Sequence, residues 1–253
     1  VKYAIFLAVL LSWNLAHATN SGEKPMKALI VVTNHDQKGN TGKKTGWYLS
    51  EVSHIYYPLL QAGYQIDFAS PEGGFAPLDE SSRDLKDPDN LRLVENSKVM
   101  AQLLNTLDIG DIDPKKYQII HFAGGHGAMW DFHTSDALNR VTAAVYENGG
   151  IVSAVCHGPA ALVNVKLSDG KYLVSGKDVS AFTDAEEAEA GMTDVVPFLL
   201  ESKLRERGAR MHPAKNWQDQ SIVSGRLVTG QNPQSGHSVA KKIIELAGSL
   251  KAA

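Results

Sequence analysis

The sequence predicts an α/β fold in which a mostly parallel sheet is covered by helices on both faces. Three observations predict it. Short runs of consecutive small or apolar residues, such as 28–32 and 151–155, have the length and character of strands buried on both sides. These runs alternate with stretches of helical periodicity, the order that winds a parallel sheet. Polar, glycine-containing segments follow several of the runs, at the strand ends where open α/β sheets bind ligands. The 253 residues are 43% hydrophobic, enough to bury one core. Formal charge is −3, and no basic patch or long charge run is visible, so a nucleic-acid partner is not expected.

Taken in order, residues 27–33 are a buried first strand and 34–44 a polar loop at its carboxyl end. Residues 45–62 predict a helix that Gly63 terminates. Val52, Ile55, Tyr56, Leu59 and Leu60 would face the sheet, and Pro58 would kink or split the helix near its end. In residues 64–70, Ile66 and Phe68 alternate with polar neighbours and predict a second strand. Residues 71–90 are rich in Pro, Gly and Asp and read as loop; 91–107 read as one helix. A third strand at 117–123 runs straight into Gly124-Gly125-His126-Gly127. A helix at 135–148, the apolar strand at 151–155 and a helix from Pro159 to about Val165 follow. Beyond it come short strands at 171–174 and 179–182, a helix over 184–189 capped by Asp184, and a helix over 196–207. A hairpin around Ser224-Gly225 and a closing helix at 235–250 end the chain.

Chemistry concentrates at one turn. After the strand at 151–155 comes Cys156, the single cysteine of the chain, then His157, Gly158 and Pro159. Gly158 permits a tight turn, and Pro159 suits the first position of a helix, where its missing N–H is no loss. A thiol at a helix start faces backbone N–H groups and a dipole that favour thiolate. A buried small hydrophobe is the commonest fate of a free cysteine. The turn glycine, the helix start and the adjacent histidine favour a nucleophile instead. His157 is a base or proton shuttle in that reading, and a packing or capping residue otherwise. The glycines at 124 and 125 let backbone N–H groups approach a ligand closely, so that one of them, with the N–H of His157, could form an oxyanion hole. His35, Asp36, His121, His126 and His133 are scattered without paired ligand spacing, and no metal is expected. Trp47, Trp130, Tyr56 and Tyr57 are expected to fill core rather than line a pocket. Arg83 and Lys86 could rim the site, although charged loop residues are usually just solvated.

The amino terminus has a separate logic. Lys2, the apolar stretch 4–11 and Ala16-His17-Ala18 form a signal-peptide pattern, with cleavage expected after Ala18. A membrane-anchoring helix is the alternative, but no stop-transfer pattern follows. The expected organisation is a signal peptide over 1–18, a linker over 19–25 and one α/β domain over 26–253, exported to the periplasm or outside the cell. A lone cysteine in an exported protein cannot pair within its own chain.

Residues 154–160, Ala-Val-Cys-His-Gly-Pro-Ala, resemble the nucleophile elbow of the ThiJ/PfpI superfamily, relatives of class I glutamine amidotransferases. Four further blocks, at 45–51, 124–131, 182–187 and 228–233, resemble its glyoxalase III-like chaperone branch, in the family's order. The resemblance spans about residues 26–247. It implies a flavodoxin-like three-layer sandwich. It also implies that Glu51 is the buried carboxyl beside the thiol, that His157 is the elbow histidine, and that Glu187, or failing it Glu186, orients that histidine. Gly125 and His157 match the family's oxyanion amides, with Gly124 and His126 beside them on the substrate side. A carboxylate next to a thiolate is a like-charge pair, so Glu51 and Cys156 should share one proton.

The activity this resemblance implies is conversion of methylglyoxal and water to lactate, the D-lactate dehydratase type, without metal, nicotinamide or glutathione. It extends to protein deglycation, with a small reactive aldehyde or glycated protein as partner, and to a homodimer. Two other readings stand beside it: a stress chaperone that holds unfolded clients on an apolar surface, and a cysteine amidase or protease.

Overall fold

In the computed structural model, which describes residues 26–252, the apolar runs become the middle of a single sheet. The strands are β1 (Lys27–Val31), β2 (Gln65–Ser70), β3 (Leu107–Asp108), β4 (Ile119–Phe122), β5 (Ile151–Val155), β6 (Asp178–Val179), β7 (Arg210–Met211), β8 (Ser221–Ser224) and β9 (Leu227–Gly230). Seven of them pair in the order β3-β2-β1-β4-β5-β9-β8, while β6 and β7 form a separate parallel pair. Every pairing in the large sheet is parallel except the β8–β9 hairpin. All residues of β4, β5 and β9 are buried, so both faces of the sheet centre are covered. The fold is a flavodoxin-like α/β sandwich.

The helices are α1 (Leu49–Gln61), α2 (Pro88–Glu95), α3 (Ser97–Leu103), α4 (Ala128–Asp131), α5 (Asp136–Glu147), α6 (Asp184–Glu189), α7 (Leu200–Glu206) and α8 (Gly236–Ala252). α1 packs against α8, while α5 packs against β4 and β5. Among the described residues no helix is long and apolar enough to cross a membrane. The expected signal peptide and linker lie outside the described residues.

The structure departs from the sequence reading at several boundaries. α1 starts four residues late, because residues 45–48 are extended and tied to neighbours: Trp47 N–H donates to Pro77 O (2.9 Å) and Tyr48 N–H to Gly124 O (3.1 Å). The helix then runs through Pro58 without splitting, flanked by buried Ile55, Tyr57 and Leu59; Leu60 is 42% exposed rather than packed on the sheet. The single helix expected over 91–107 is two, α2 and α3. They break at Asn96, whose side chain accepts from Val99 N–H and caps the second. α2 starts inside the expected loop, capped by Asp87.

After Cys156 there is one 3-10 turn, Gly158–Leu162, rather than a helix to Val165. Residues 171–174 form no strand and keep only a bridge between Lys166 and Tyr172. Residues 180–182 leave β6 to reach the cysteine turn. α6 is capped by Thr183 in a reciprocal pair with Glu186, not by Asp184. α7 begins at Leu200 rather than at 196. The two-residue strands β3 and β7 carry no periodicity that a sequence reading can find.

Candidate active site

The site is built where β4 and β5 end side by side. Cys156 follows β5 with φ +58°, a backbone conformation rarely adopted by residues other than glycine. Such strain amounts to about 1–3 kcal/mol and persists only where the surroundings impose it. Here Cys156 N–H donates to Gly230 O of β9 (3.0 Å), and Cys156 O accepts from Phe182 N–H (2.9 Å). Both backbone groups are fastened, so the thiol points into the crevice at 2% exposure. The backbone N–H groups of Gly125 and His157 are directed at the sulfur and stabilise its anion.

Glu51, in the first turn of α1, is fully buried beside the thiol. Its Oε2 accepts from Gly124 N–H at 2.7 Å. Gly124 and Gly125 are required as glycines: a Cβ on Gly124 would sit 2.8 Å from Glu51 Oε2, and one on Gly125 would sit 2.3 Å from Gly46 O. Burial pushes the Glu51 carboxyl up to about 8, against opposing hydrogen bonds from Cys156 and Gly124. Burial also pushes the Cys156 thiol up, and a charge on Glu51 would push it further. The two groups therefore do not both carry charge, and they share a proton across the pair. The thiolate preference expected from a helix start is absent: the turn is a five-residue 3-10 element, and burial and Glu51 push the thiol up against the two amides that favour its anion.

On the other side, His157 Nδ1 lies 3.3 Å from Cys156 Sγ, and His157 Nε2 lies 2.9 Å from Glu187 Oε2. A carboxylate only accepts, so Nε2 carries the proton and Nδ1 faces the sulfur. Glu187 is almost fully buried, which alone would raise its carboxyl. The two histidines that bond it outweigh burial and hold it down at about 2. The second histidine reaches the other oxygen, with His126 Nε2 2.9 Å from Glu187 Oε1 and its ring 4.2 Å from that of His157. Burial and the neighbouring His157 push His126 down to about 4, so it is neutral in ordinary buffers. His126, His157 and Glu187 are also the one group of metal-ligand type among the described residues, with ligand atoms within 4.8 Å of one another. All three atoms are engaged in hydrogen bonds within the group.

Glu186, adjacent in sequence, faces elsewhere. It caps α6 and accepts from Gln231 Nε2 (3.0 Å), Asn232 Nδ2 (2.8 Å) and Trp217 N–H (2.8 Å), tying α6 to the loop after β9. Cys156, His126 and His157 open onto a cavity of about 170 Å³, below the size range of drug-like ligand sites. The cavity is also lined by Lys38, Tyr48, Asp79, Ser81, Phe182, Trp217 and Pro233. Lys38 is held there by the hairpin-like loop after β1 and lies 3.5 Å from Asp79.

The DJ-1/PfpI family matches residues 45–246. The chain belongs to the DJ-1/PfpI family. Glyoxalase 3 of Candida albicans is 32% identical over 229 residues, covering 87% of this chain and 97% of that protein. Glutathione-independent glyoxalase HSP31 of Saccharomyces cerevisiae is 32% identical over 239 residues, covering 87% of this chain and 98% of that protein. Among solved structures, Rapid Encystment Protein 24 KDa of Francisella tularensis superposes with a TM-score of 0.84 at 38% identity, over 87% of this chain and 98% of that one.

Within this DJ-1/PfpI site, Glu51, Gly124, Gly125, His126, Cys156, His157 and Glu187 all come together, and Glu186 does not. The sequence reading grouped His126 with scattered histidines; its side chain instead shares Glu187 with His157. The others are dispersed: His121 lies in the core beside Ser153, His35 stacks on Trp130 and His133 lies against Phe198. Trp47, Trp130, Tyr56 and Tyr57 stay off the cavity. Arg83 lines a neighbouring apolar groove instead of the cavity, and Lys86 is exposed. Tyr48 and Lys38 were missed. The signal available for Tyr48 was its place three residues before Glu51; Lys38 sits in a polar loop with no periodicity.

Proposed function

We propose that this chain is a cysteine-dependent glyoxalase that converts free 2-oxoaldehydes such as methylglyoxal to 2-hydroxy acids with water alone. The observation that carries the reading is a buried thiol with the Glu51 carboxyl on one side and, on the other, His157 at 3.3 Å backed by Glu187 at 2.9 Å. The names of the two relatives, Glyoxalase 3 and Glutathione-independent glyoxalase, support it. The small cavity and the 2% exposure of Cys156 favour free aldehydes over aldehyde adducts on proteins.

The chemistry follows from proton positions. The sulfur, with its proton on Glu51, adds to the aldehyde carbon, and the C=O electron pair moves to oxygen. Gly125 and His157 N–H groups stabilise that oxyanion, and Glu51 then protonates it. Glu51, now a carboxylate, takes the hydrogen of the same carbon. The freed pair forms a carbon–carbon double bond, and the ketone electrons move to the second oxygen. A proton passes from the first oxygen to the second through His157, and Glu51 returns its proton to the second carbon. The result is a thioester of the hydroxy acid. The first carbon has been oxidised and the second reduced, so no external oxidant is needed. His157, supported by Glu187, then activates water; the acyl–sulfur bond breaks, the acid leaves, and Glu51 regains its proton.

The test is purified protein with methylglyoxal and no glutathione, with the product identified. Lactate formation that disappears in Cys156→Ala is expected. No lactate from the wild type, or equal turnover without the thiol, overturns the reading. Ammonia released from glutamine would favour amide hydrolysis instead.

One observation favours a second reading, a holding chaperone. A larger groove of about 390 Å³ is lined by Trp47, Phe75, Leu78, Val94 and Leu104, with Phe75 62% and Leu104 55% exposed. Suppression of aggregation that survives Cys156→Ala but falls in Phe75→Ser would support it. Export with cleavage after Ala18 and a homodimer complete the proposal. N-terminal sequencing of exported protein and sedimentation test them.

A further inference from the structure

The residue that starts α1 is badly chosen for a helix start. Tyr48 occupies the N-cap position, where Ser, Thr, Asp or Asn would satisfy a free N–H, and its side chain makes no cap hydrogen bond. The cap comes from elsewhere: Ser82 Oγ accepts from Leu49 N–H at 3.0 Å. Tyr48 is thereby released from capping, and it lines the cavity that contains Cys156. Its backbone is fixed by the same hydrogen bonds that build the site, Tyr48 N–H to Gly124 O and Glu51 N–H to Tyr48 O, each at 3.1 Å. Burial, and then the neighbouring Glu51 and Cys156, push the phenol up to about 12. It therefore stays protonated and can only donate to a developing anion beside those two groups.

The reaction proposed above leaves one charge unassigned. Gly125 and His157 amides serve the oxygen on the carbon that the sulfur attacks. When Glu51 removes the hydrogen of that carbon, the next carbon's oxygen becomes anionic and needs its own donor.

We propose that the Tyr48 hydroxyl is a catalytic hydrogen-bond donor to this second substrate oxygen. It selects aldehydes that carry a carbonyl on the adjacent carbon over simple aldehydes. Sulfur addition to the first carbon does not use Tyr48, whereas formation of the enediolate does. This inference rests on the glyoxalase reading.

The experiment compares wild type with Tyr48→Phe on methylglyoxal, alongside the rate of Cys156 alkylation by iodoacetamide and the melting temperature. Expected is a fall in kcat of about 100-fold, the size found for a lost oxyanion donor, with KM changed less than about threefold. Alkylation and melting should stay at wild-type values, because the thiol and its two carboxyls are untouched. A kcat within about threefold of wild type overturns the inference. So does a loss of kcat matched by an equal loss of alkylation rate, which would place the effect at the thiol. Wild type that makes no lactate sinks the glyoxalase reading and this inference with it. Active wild type with an equally active Tyr48→Phe sinks the inference alone.

Discussion

Glu51 and Glu187 flank the same thiol–imidazole pair, and both are shielded from solvent. Yet one carboxyl is pushed up to about 8 and the other held down at about 2. Burial favours the neutral form of each. The partners decide the outcome. Glu51 receives one backbone N–H and faces a sulfur that competes for negative charge. Glu187 receives a ring N–H from each of two histidines. A proton carrier and an orienting anion are thus made from one residue type by changing the donors around it.

The most severe way to break this contrast is to remove the proton carrier. Glu51→Gln keeps the shape and loses the exchangeable proton, and kcat for methylglyoxal should fall by about 1000-fold. A fall below about tenfold would show that another group moves the proton. Glu187→Gln should lose about 100-fold in kcat, because an amide can present its own N–H to His157 Nε2 and disturb the tautomer. Activity near wild type would mean that His157 is oriented without it.

The two carboxyls should also respond oppositely to pH. Glu51 is raised from its ordinary 4.5, so its ionisation destabilises the fold progressively as pH rises from about 4.5 through about 8. Glu187 is lowered, so its contribution is present above about 4.5 and lost as pH falls toward 2. Melting curves should therefore show Glu51→Gln flattening the alkaline side of the stability profile and Glu187→Gln flattening the acid side. The same slope in both variants and wild type would sink the assignment. Glu186→Gln sharpens the contrast by position: it should cost about 1–3 kcal/mol in chemical denaturation through its broken buried network, with kcat changed far less than in Glu187→Gln. The smallest effect belongs to Leu60→Lys, on the exposed side of α1, expected within about 0.5 kcal/mol of wild type.

The parallel sheet was legible because its central strands are buried on both faces and therefore read as short runs of mostly apolar or small residues. Cys156 was legible because turn residues surround it. Glu51 and the choice of Glu187 over Glu186 came from family resemblance; periodicity alone cannot tell which of two neighbouring glutamates turns inward. What separates them is tertiary. Glu186 points at the Gln231–Asn232 loop after β9, and Glu187 at two histidines from other strand ends. The same limit hid Tyr48, whose release from capping depends on Ser82 in a distant turn, and β3 and β7, which exist only as edges of neighbours. Asn96 was readable in principle, since asparagine is a good helix cap, but the apolar pattern continued across it.

The elbow has a consequence in time. Its strained residue is clasped by Phe182 and by Gly230, both made well after Cys156 itself. A growing chain can carry the cysteine, the histidine and the first glutamate and still lack the clasp. The reactive geometry is completed only once β9 has docked beside β5. Before that, the thiol is an ordinary cysteine on an unfinished polypeptide. The order of synthesis thus keeps the chemistry latent until β9 has been made.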